Sequence, residues 1–210
     1  MMTPCVESPL DASPLLQEAA AWRLVSLLFE CPGAGWLDQV LMLAGEVQDP
    51  CLTAAAEAAR QEASPGLYHS TFGPGGPAAP REVSYRRGVL PGASLAGLRG
   101  LYEAFAYQTS VDEPPDHVAV EAGFVAYLRL KQAYAVARGN EEQMRICADA
   151  GQRFLQEHLS RMAGPIASSL ASSGVTYLAH AAEALRSRVG PVPADAELTG
   201  IPDEEPSEDE

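Results

Sequence analysis

The sequence predicts an all-α protein: a single compact, bundle-like helical domain made of two helical halves joined by a Pro-rich hinge, with a long Gly/Pro loop. Three observations carry this expectation. Apolar residues recur at helical spacing in one segment after another. No segment sustains the period-two alternation of a half-buried strand or holds an Asn-Gly hairpin signal. The hydrophobic 47% of the chain is dominated by Ala and Leu, and aromatics make up only 7%, a mix that favours helices over sheets.

Leu15, Ala19, Trp22, Val25 and Phe29 mark the first helix, which Cys31-Pro32-Gly33 stops. Trp36, Val40, Leu43 and Val47 mark a second, ended near Asp49-Pro50, and the Ala- and Glu-rich stretch Leu52 to Ala63 reads as a third. Helical pattern then fails. Ser64 to Gly92 holds five prolines and six glycines, with a short turn of helix near Leu67–Phe72 ahead of Gly73-Pro74-Gly75-Gly76-Pro77. Loops of that length inside a compact domain are usually functional or flexible.

Helix resumes at Ala93 and is expected to reach about Thr109. Ser110 to Pro115 is a linker, because consecutive prolines force extended backbone. A helix beginning at His117 carries Val120, Phe124 and Leu128 on one face and is capped by Gly139-Asn140. The next holds Met144, Cys147, Gly151, Phe154, Leu155, His158 and Met162 along one stripe, with Pro165 expected to kink or split it. The last has Val175, Leu178, Ala182, Leu185 and Val189 in register before Gly190-Pro191. The division expected is an N-terminal half at 12–109 that includes loop 64–92, a hinge at 110–116, a C-terminal half at 117–190 and an acidic tail at 191–210.

Charge narrows the function classes. The net charge of −14 is concentrated in the tail, where eight of the 28 acids and no Lys or Arg lie; without it, 20 acids face 14 bases, a net of −6. The tail reads as disordered and solubilising. Nucleic acid is not an expected partner, since phosphate binding needs concentrated Lys and Arg. No stretch approaches 18 apolar residues, so membrane insertion is not expected, and Met1 to Asp11 lacks the pattern of a secretory signal. Cys5, Cys31, Cys51 and Cys147 form no C-x-x-C pair and read as reduced thiols of a cytoplasmic chain, with Cys147 buried and Cys5 exposed.

Motifs for catalysis are weak. His69, His117, His158 and His180 have no H-E-x-x-H or i,i+4 partner, so neither a metal site nor a catalytic residue is expected. The Gly-rich run lacks the Lys-Ser/Thr of a phosphate loop, and there is no G-x-S-x-G. Glu113, Asp116 and His117 converge locally, and Asp116 stands where a helix N-cap belongs, worth roughly 1 kcal/mol. A cap alone leaves Glu113, Pro114, Pro115 and the adjacent imidazole without a reason.

Glu113-Pro114-Pro115-Asp116-His117-Val-Ala-Val-Glu121-Ala-Gly-Phe124 resembles the E-P-x-D-H-x-x-x-E-L-x-F signature of the TorD/DmsD/NarJ family, chaperones dedicated to molybdenum oxidoreductases of the dimethyl sulfoxide reductase type. Ala122 departs from the usual Leu. Other stretches are similar in the same order: Arg23 to Phe29 with Pro32, Tyr68-His-Ser-Thr-Phe72-Gly73, Ser84-Tyr85, Val89-Leu-Pro-Gly92, and Phe154-Leu-Gln-Glu-His158-Leu159. The resemblance covers roughly Ala20 to Leu185.

It implies a non-catalytic cytoplasmic chaperone without a cofactor of its own. The implied client is the apo catalytic subunit of a molybdopterin oxidoreductase, held by its N-terminal segment, in some cases a twin-arginine signal peptide, until molybdenum cofactor is inserted. Cofactor-delivery proteins are further implied partners, and the chain is expected as a monomer or domain-swapped dimer. A groove with an apolar floor and acidic rim suits such a peptide. Tyr68, Phe72 and Tyr85 are the floor candidates; Glu113, Asp116, His117, Glu121 and Arg23 are the polar contacts; Gly92 serves backbone geometry, and His158 is structural. Two other readings stay open: a small nucleotide-dependent hydrolase using Asp116 and His117, and a helical adaptor acting through the acidic tail.

Overall fold

The computed structural model describes residues 11–86, 88, 90–109 and 111–190. Cys5, Val89, Ser110 and the acidic tail, each singled out above, lie outside them. The described residues are helical, with α1 Ser13–Leu28, α2 Trp36–Glu46, α3 Pro50–Glu62, α4 Pro65–Phe72, a 3₁₀ turn Glu82–Tyr85, α5 Pro91–Ala104, α6 Val118–Ala137, α7 Glu141–Phe154, a π turn Leu155–Leu159, α8 Ser160–Ala171 and α9 Thr176–Val189. Among them no strand forms; one isolated antiparallel bridge joins Arg81 to His117.

α6 is the central element. Every residue from Val118 to Ala126 is buried, the signature of a helix enclosed on all sides. It packs against α1 and α7, while α9 packs against α3 and α8, so a continuous apolar core runs from Trp22, Leu24 and Phe29 to Ile166, Leu178 and Leu185. A Cβ on Gly123 would come within 2.6 Å of the Tyr107 hydroxyl and 3.2 Å of Ser26 Oγ; the missing side chain lets α1 and α6 approach closely. Local chemistry sets the ends. Asp49 accepts the amides of Cys51 and Leu52 at 2.9 and 3.1 Å as the N-cap of α3, and Arg188 of α9 reaches the same carboxylate at 2.7 Å. Trp36 Nε1 donates to the carbonyl of Leu27 at 2.8 Å, fixing α2 on the end of α1.

Two boundaries differ from expectation. α5 stops at Ala104, short of Thr109, because Ala106 adopts φ 55° and the amide of Tyr107 closes back on the carbonyl of Tyr102 at 2.8 Å. Pro165 lies inside α8 without ending it. The change of winding falls instead at Leu155–Leu159, the π turn, which rotates His158 relative to the face of α7.

Candidate functional site

The Glu113–His117 segment and the Gly/Pro loop are bound to each other. The amide of Glu82 donates to the carbonyl of Asp116 and the amide of Val118 to the carbonyl of Pro80, both at 2.8 Å. The Asp116 carboxylate is 1% exposed. It accepts Nε of Arg81 at 2.9 Å, a second Arg81 nitrogen at 2.8 Å, and the amide of Val83 at 3.3 Å. This forked, charge-assisted contact fastens residues 80–86 to the start of α6. The prolines are fastened too: the carbonyl of Pro114 accepts the amide of His117 at 3.0 Å, and that of Pro115 accepts the Tyr102 hydroxyl at 2.8 Å.

His117, not Asp116, caps α6. Its backbone is extended (φ −79°, ψ 137°), and its Nδ1 accepts the amide of Ala119 at 3.2 Å. The expectation of an Asp116 cap is corrected because the aspartate is consumed by Arg81 and Val83. Since Nδ1 accepts, the neutral ring carries its proton on Nε2 and donates to the Tyr68 hydroxyl, 3.1 Å away; that hydroxyl in turn lies 3.4 Å from Glu113 Oε1. Burial, then the nearby Arg81 charge, lowers the His117 pKa from 6.5 to about 4. The ring therefore stays neutral across the physiological range.

A second buried set lies beside the first. Glu82, fully buried, accepts Nε of Arg86 at 2.6 Å on Oε1 and faces Nδ1 of His158 at 3.1 Å from Oε2. Burial pushes the Glu82 carboxyl up, but His158 and Arg86 outweigh it and hold it below the usual carboxylate range. Glu121, also fully buried, has no hydrogen-bond donor on either oxygen. Burial, then the charges of Glu82 and Asp116, raises its carboxyl well above the usual range.

Above this set opens a cleft of about 650 Å³ between α5, α7 and the π turn. Leu98, Leu101, Phe105 and Phe154 form an apolar floor, with Ile146 46% exposed at the edge. Arg86, Asp149, Arg153, Glu157 and His158 supply the polar margin.

The structure thus gathers Tyr68, Glu113, Asp116, His117 and Glu121 around the start of α6. Asp116 and His117, expected on a groove rim, are interior, and Tyr68 is only 4% exposed. Phe72 packs on Phe29 and Tyr68 at ring separations of 6.1 and 5.1 Å. Tyr85 is half-buried and donates to the carbonyl of Ala79 at 2.8 Å. Arg23 is not brought to this cluster. It pairs with Glu30 at 2.6 Å and lines a separate cleft with Leu16, Ala20, Tyr127 and Leu130 between α1 and α6. Gly92 sits in the first turn of α5 with open space around its Cα and no positive φ, so backbone geometry does not require glycine there. His158 stacks on Phe154 at 4.7 Å, and it also partners Glu82.

Sequence reasoning missed Arg81, Glu82, Arg86 and the whole α5–α7 cleft. The one available signal was the appearance of Arg81, Glu82, Arg86 and Arg87 in an otherwise uncharged Gly/Pro loop.

The described residues thus form a helical fold whose central helix opens on an E-P-P-D-H segment with its Asp116 and His117 buried, and comparison supplies the family. Residues 41–168 match the family described as nitrate reductase delta subunit. The chain belongs to that family, the NarJ/TorD type of redox-enzyme maturation chaperone acting on molybdoenzymes. No curated protein gives a significant sequence match. Among solved structures, the fold is similar to that of a protein from Archaeoglobus fulgidus described as a redox enzyme maturation protein, with TM-score 0.54, 20% identity, and coverage of 90% of this chain and 99% of that one. No helix among the described residues is long and apolar enough to cross a membrane.

Proposed function

We propose that this chain is a cytoplasmic, non-catalytic chaperone that binds the N-terminal segment of the apo catalytic subunit of a dimethyl sulfoxide reductase-type molybdenum oxidoreductase. It holds that subunit for cofactor insertion and assembly before any export. The observation that carries the reading is the α5–α7 cleft beside an intact E-P-P-D-H clamp. An apolar floor of Leu98, Leu101, Phe105 and Phe154 suits the apolar stretch of an N-terminal peptide, and a margin that mixes Asp149 and Glu157 with Arg86 and Arg153 offers partners to charges of either sign. Among the described side chains of α5, only Leu98 and Tyr102 are buried core residues, so this wall of the cleft is held by few anchors and can adjust to a ligand.

In this reading Asp116, His117 and Tyr68 act from inside. They fix the loop and the start of α6 against which the cleft is built, while the half-buried Glu113 keeps an accessible edge. The hydrolase reading finds no geometric support, because Asp116 and His117 are 1% exposed and engaged with internal partners. A photo-crosslinking residue placed at Ile146 or Leu101 should capture a peptide from the first segment of a co-expressed molybdopterin catalytic subunit. Absence of such a crosslink, together with unchanged client retention in an Ile146→Asp/Leu101→Asp double variant, would sink the proposal.

A further inference from the structure

Glu82, Glu121 and His158 come from three separate elements: the 3₁₀ turn, the first turn of α6 and the π turn. One potential ligand atom of each lies within 4.8 Å of the other two. Nδ1 of His158 is 3.1 Å from Oε2 of Glu82, a normal edge length between neighbouring ligands of a metal ion bound at about 2.1 Å. Two such ligands stand at most about 4.2 Å apart, so only small side-chain shifts separate the present arrangement from a coordination sphere.

A second, independent feature is the state of Glu121. Both oxygens are buried and meet no donor, although its neighbours are carboxylates. Burying an unpartnered carboxyl costs several kcal/mol in the general case, and the side chain close enough to share a proton with it is Glu82, itself an acid. A cation at the centre of the three would satisfy Glu121 and neutralise the Glu82–Glu121 repulsion together. Arg86 occupies Oε1 of Glu82 and leaves Oε2 facing inward; its terminal nitrogen lies 3.3 Å from Nδ1 of His158 and 2.8 Å from the Glu157 carbonyl, so an ion on Nδ1 leaves that nitrogen to the carbonyl alone. The His158 ring is fixed by its stack on Phe154.

We infer that Glu82, Glu121 and His158 form a binding site for one divalent first-row transition-metal cation, of which Zn²⁺ is the representative, with an open position toward the α5–α7 cleft. One imidazole with two carboxylates suits Zn²⁺, Mn²⁺ or Fe²⁺. Ca²⁺ and Mg²⁺ prefer all-oxygen shells of six or more ligands. Three protein ligands leave at least one position for water or a donor from whatever occupies the cleft, since His158 lines both. The site stands apart from the client reading, because the metal binds or fails to bind with no client present.

The test is titration of the chelator-stripped, reduced full chain with Zn²⁺ by calorimetry, with Co²⁺ as a spectroscopic substitute. The expected result is one equivalent bound, a raised Tm, and cobalt d–d bands that lack thiolate charge transfer and survive Cys31→Ser. Glu121→Gln should weaken binding by more than about 100-fold, since even outer-sphere losses cost up to that much. Should that variant fail to fold, His158→Gln, on the cleft side, carries the same expectation. No saturable binding overturns the site, as does binding retained in the folded variants. A thiolate band lost in Cys31→Ser overturns it too, by placing the ion on Cys31 and His69, whose Sγ and Nε2 lie 3.8 Å apart.

Discussion

Nε2 of His117 lies 3.1 Å from the hydroxyl of Tyr68, across 49 positions of sequence, while Nδ1 of the same ring caps α6 through Ala119. One imidazole thus joins the short helix α4 to the central helix α6 and starts it. Removing the phenol oxygen leaves the buried ring N–H without a partner. Tyr68→Phe should therefore cost about 1–3 kcal/mol, read as a lower urea midpoint at unchanged slope. An effect below about 0.5 kcal/mol would mean that water replaces the hydroxyl.

Arg81 and Asp116 should respond unequally to substitution. The Arg81 side chain is 37% exposed and its partner 1%. Arg81→Met leaves a buried carboxylate with only the Val83 amide; breaking a fully buried pair costs about 3–5 kcal/mol, and solvent at the Arg81 end brings the expected cost below that. Asp116→Asn removes the charge itself and lets Arg81 turn to water, so its cost should be smaller. Hydrogen exchange at Glu82 and Val118, whose amides bridge loop and helix, should quicken in both variants and more in Arg81→Met. The reverse order would show that the carboxylate itself, accepting on both oxygens, joins loop to helix more than its pairing with Arg81 does.

Burial gives His117 a pH signature. Its pKa is about 4 in the folded chain against 6.5 unfolded. Above pH 6.5 both states are neutral and the ring contributes no slope. Between 6.5 and 4 the unfolded chain takes up a proton that the folded chain refuses, so stability falls as pH drops, by about 3 kcal/mol in total. His117→Asn keeps an oxygen to cap Ala119 but cannot titrate. Denaturation midpoints at pH 7, 5.5 and 4.5 should fall less steeply for the variant than for the parent, and equal slopes would assign the acid sensitivity to other groups.

These contacts show why the fold was more legible than the site. Helices α1, α6 and α9 announce themselves because Trp22, Phe124 and Leu178 repeat their spacing within one element, and helical periodicity is local information. The start of α6 was legible to within one residue, but the identity of its cap was not. Choosing between Asp116 and His117 depends on Arg81, 35 positions away, which takes the aspartate. Glu82 and His158 are 76 positions apart and join through a Gly/Pro loop with no periodicity and a π turn with no sequence marker of its own. The α5–α7 cleft was invisible for a related reason: Leu101, Phe105 and Ile146 follow ordinary helical spacing, and only the packing of the two helices shows that they face a gap.

The two clefts give the client reading its sharpest test. Ile146 is 46% exposed on the α5–α7 cleft, so Ile146→Asp should change stability by no more than about 0.5 kcal/mol. If that cleft holds the client, a charge on its apolar margin should weaken client retention roughly tenfold, the scale of about 1.4 kcal/mol of lost burial. Arg23→Ala removes a partly exposed ion pair with Glu30 on the other cleft, worth about 1 kcal/mol or less, and should leave retention unchanged. Affinity for a purified client segment, measured beside Tm for each variant, separates the two surfaces. Weakened retention in Arg23→Ala with none in Ile146→Asp would move the binding surface to the α1–α6 face, where Leu16 and Leu130 are also exposed at 48% and 51%.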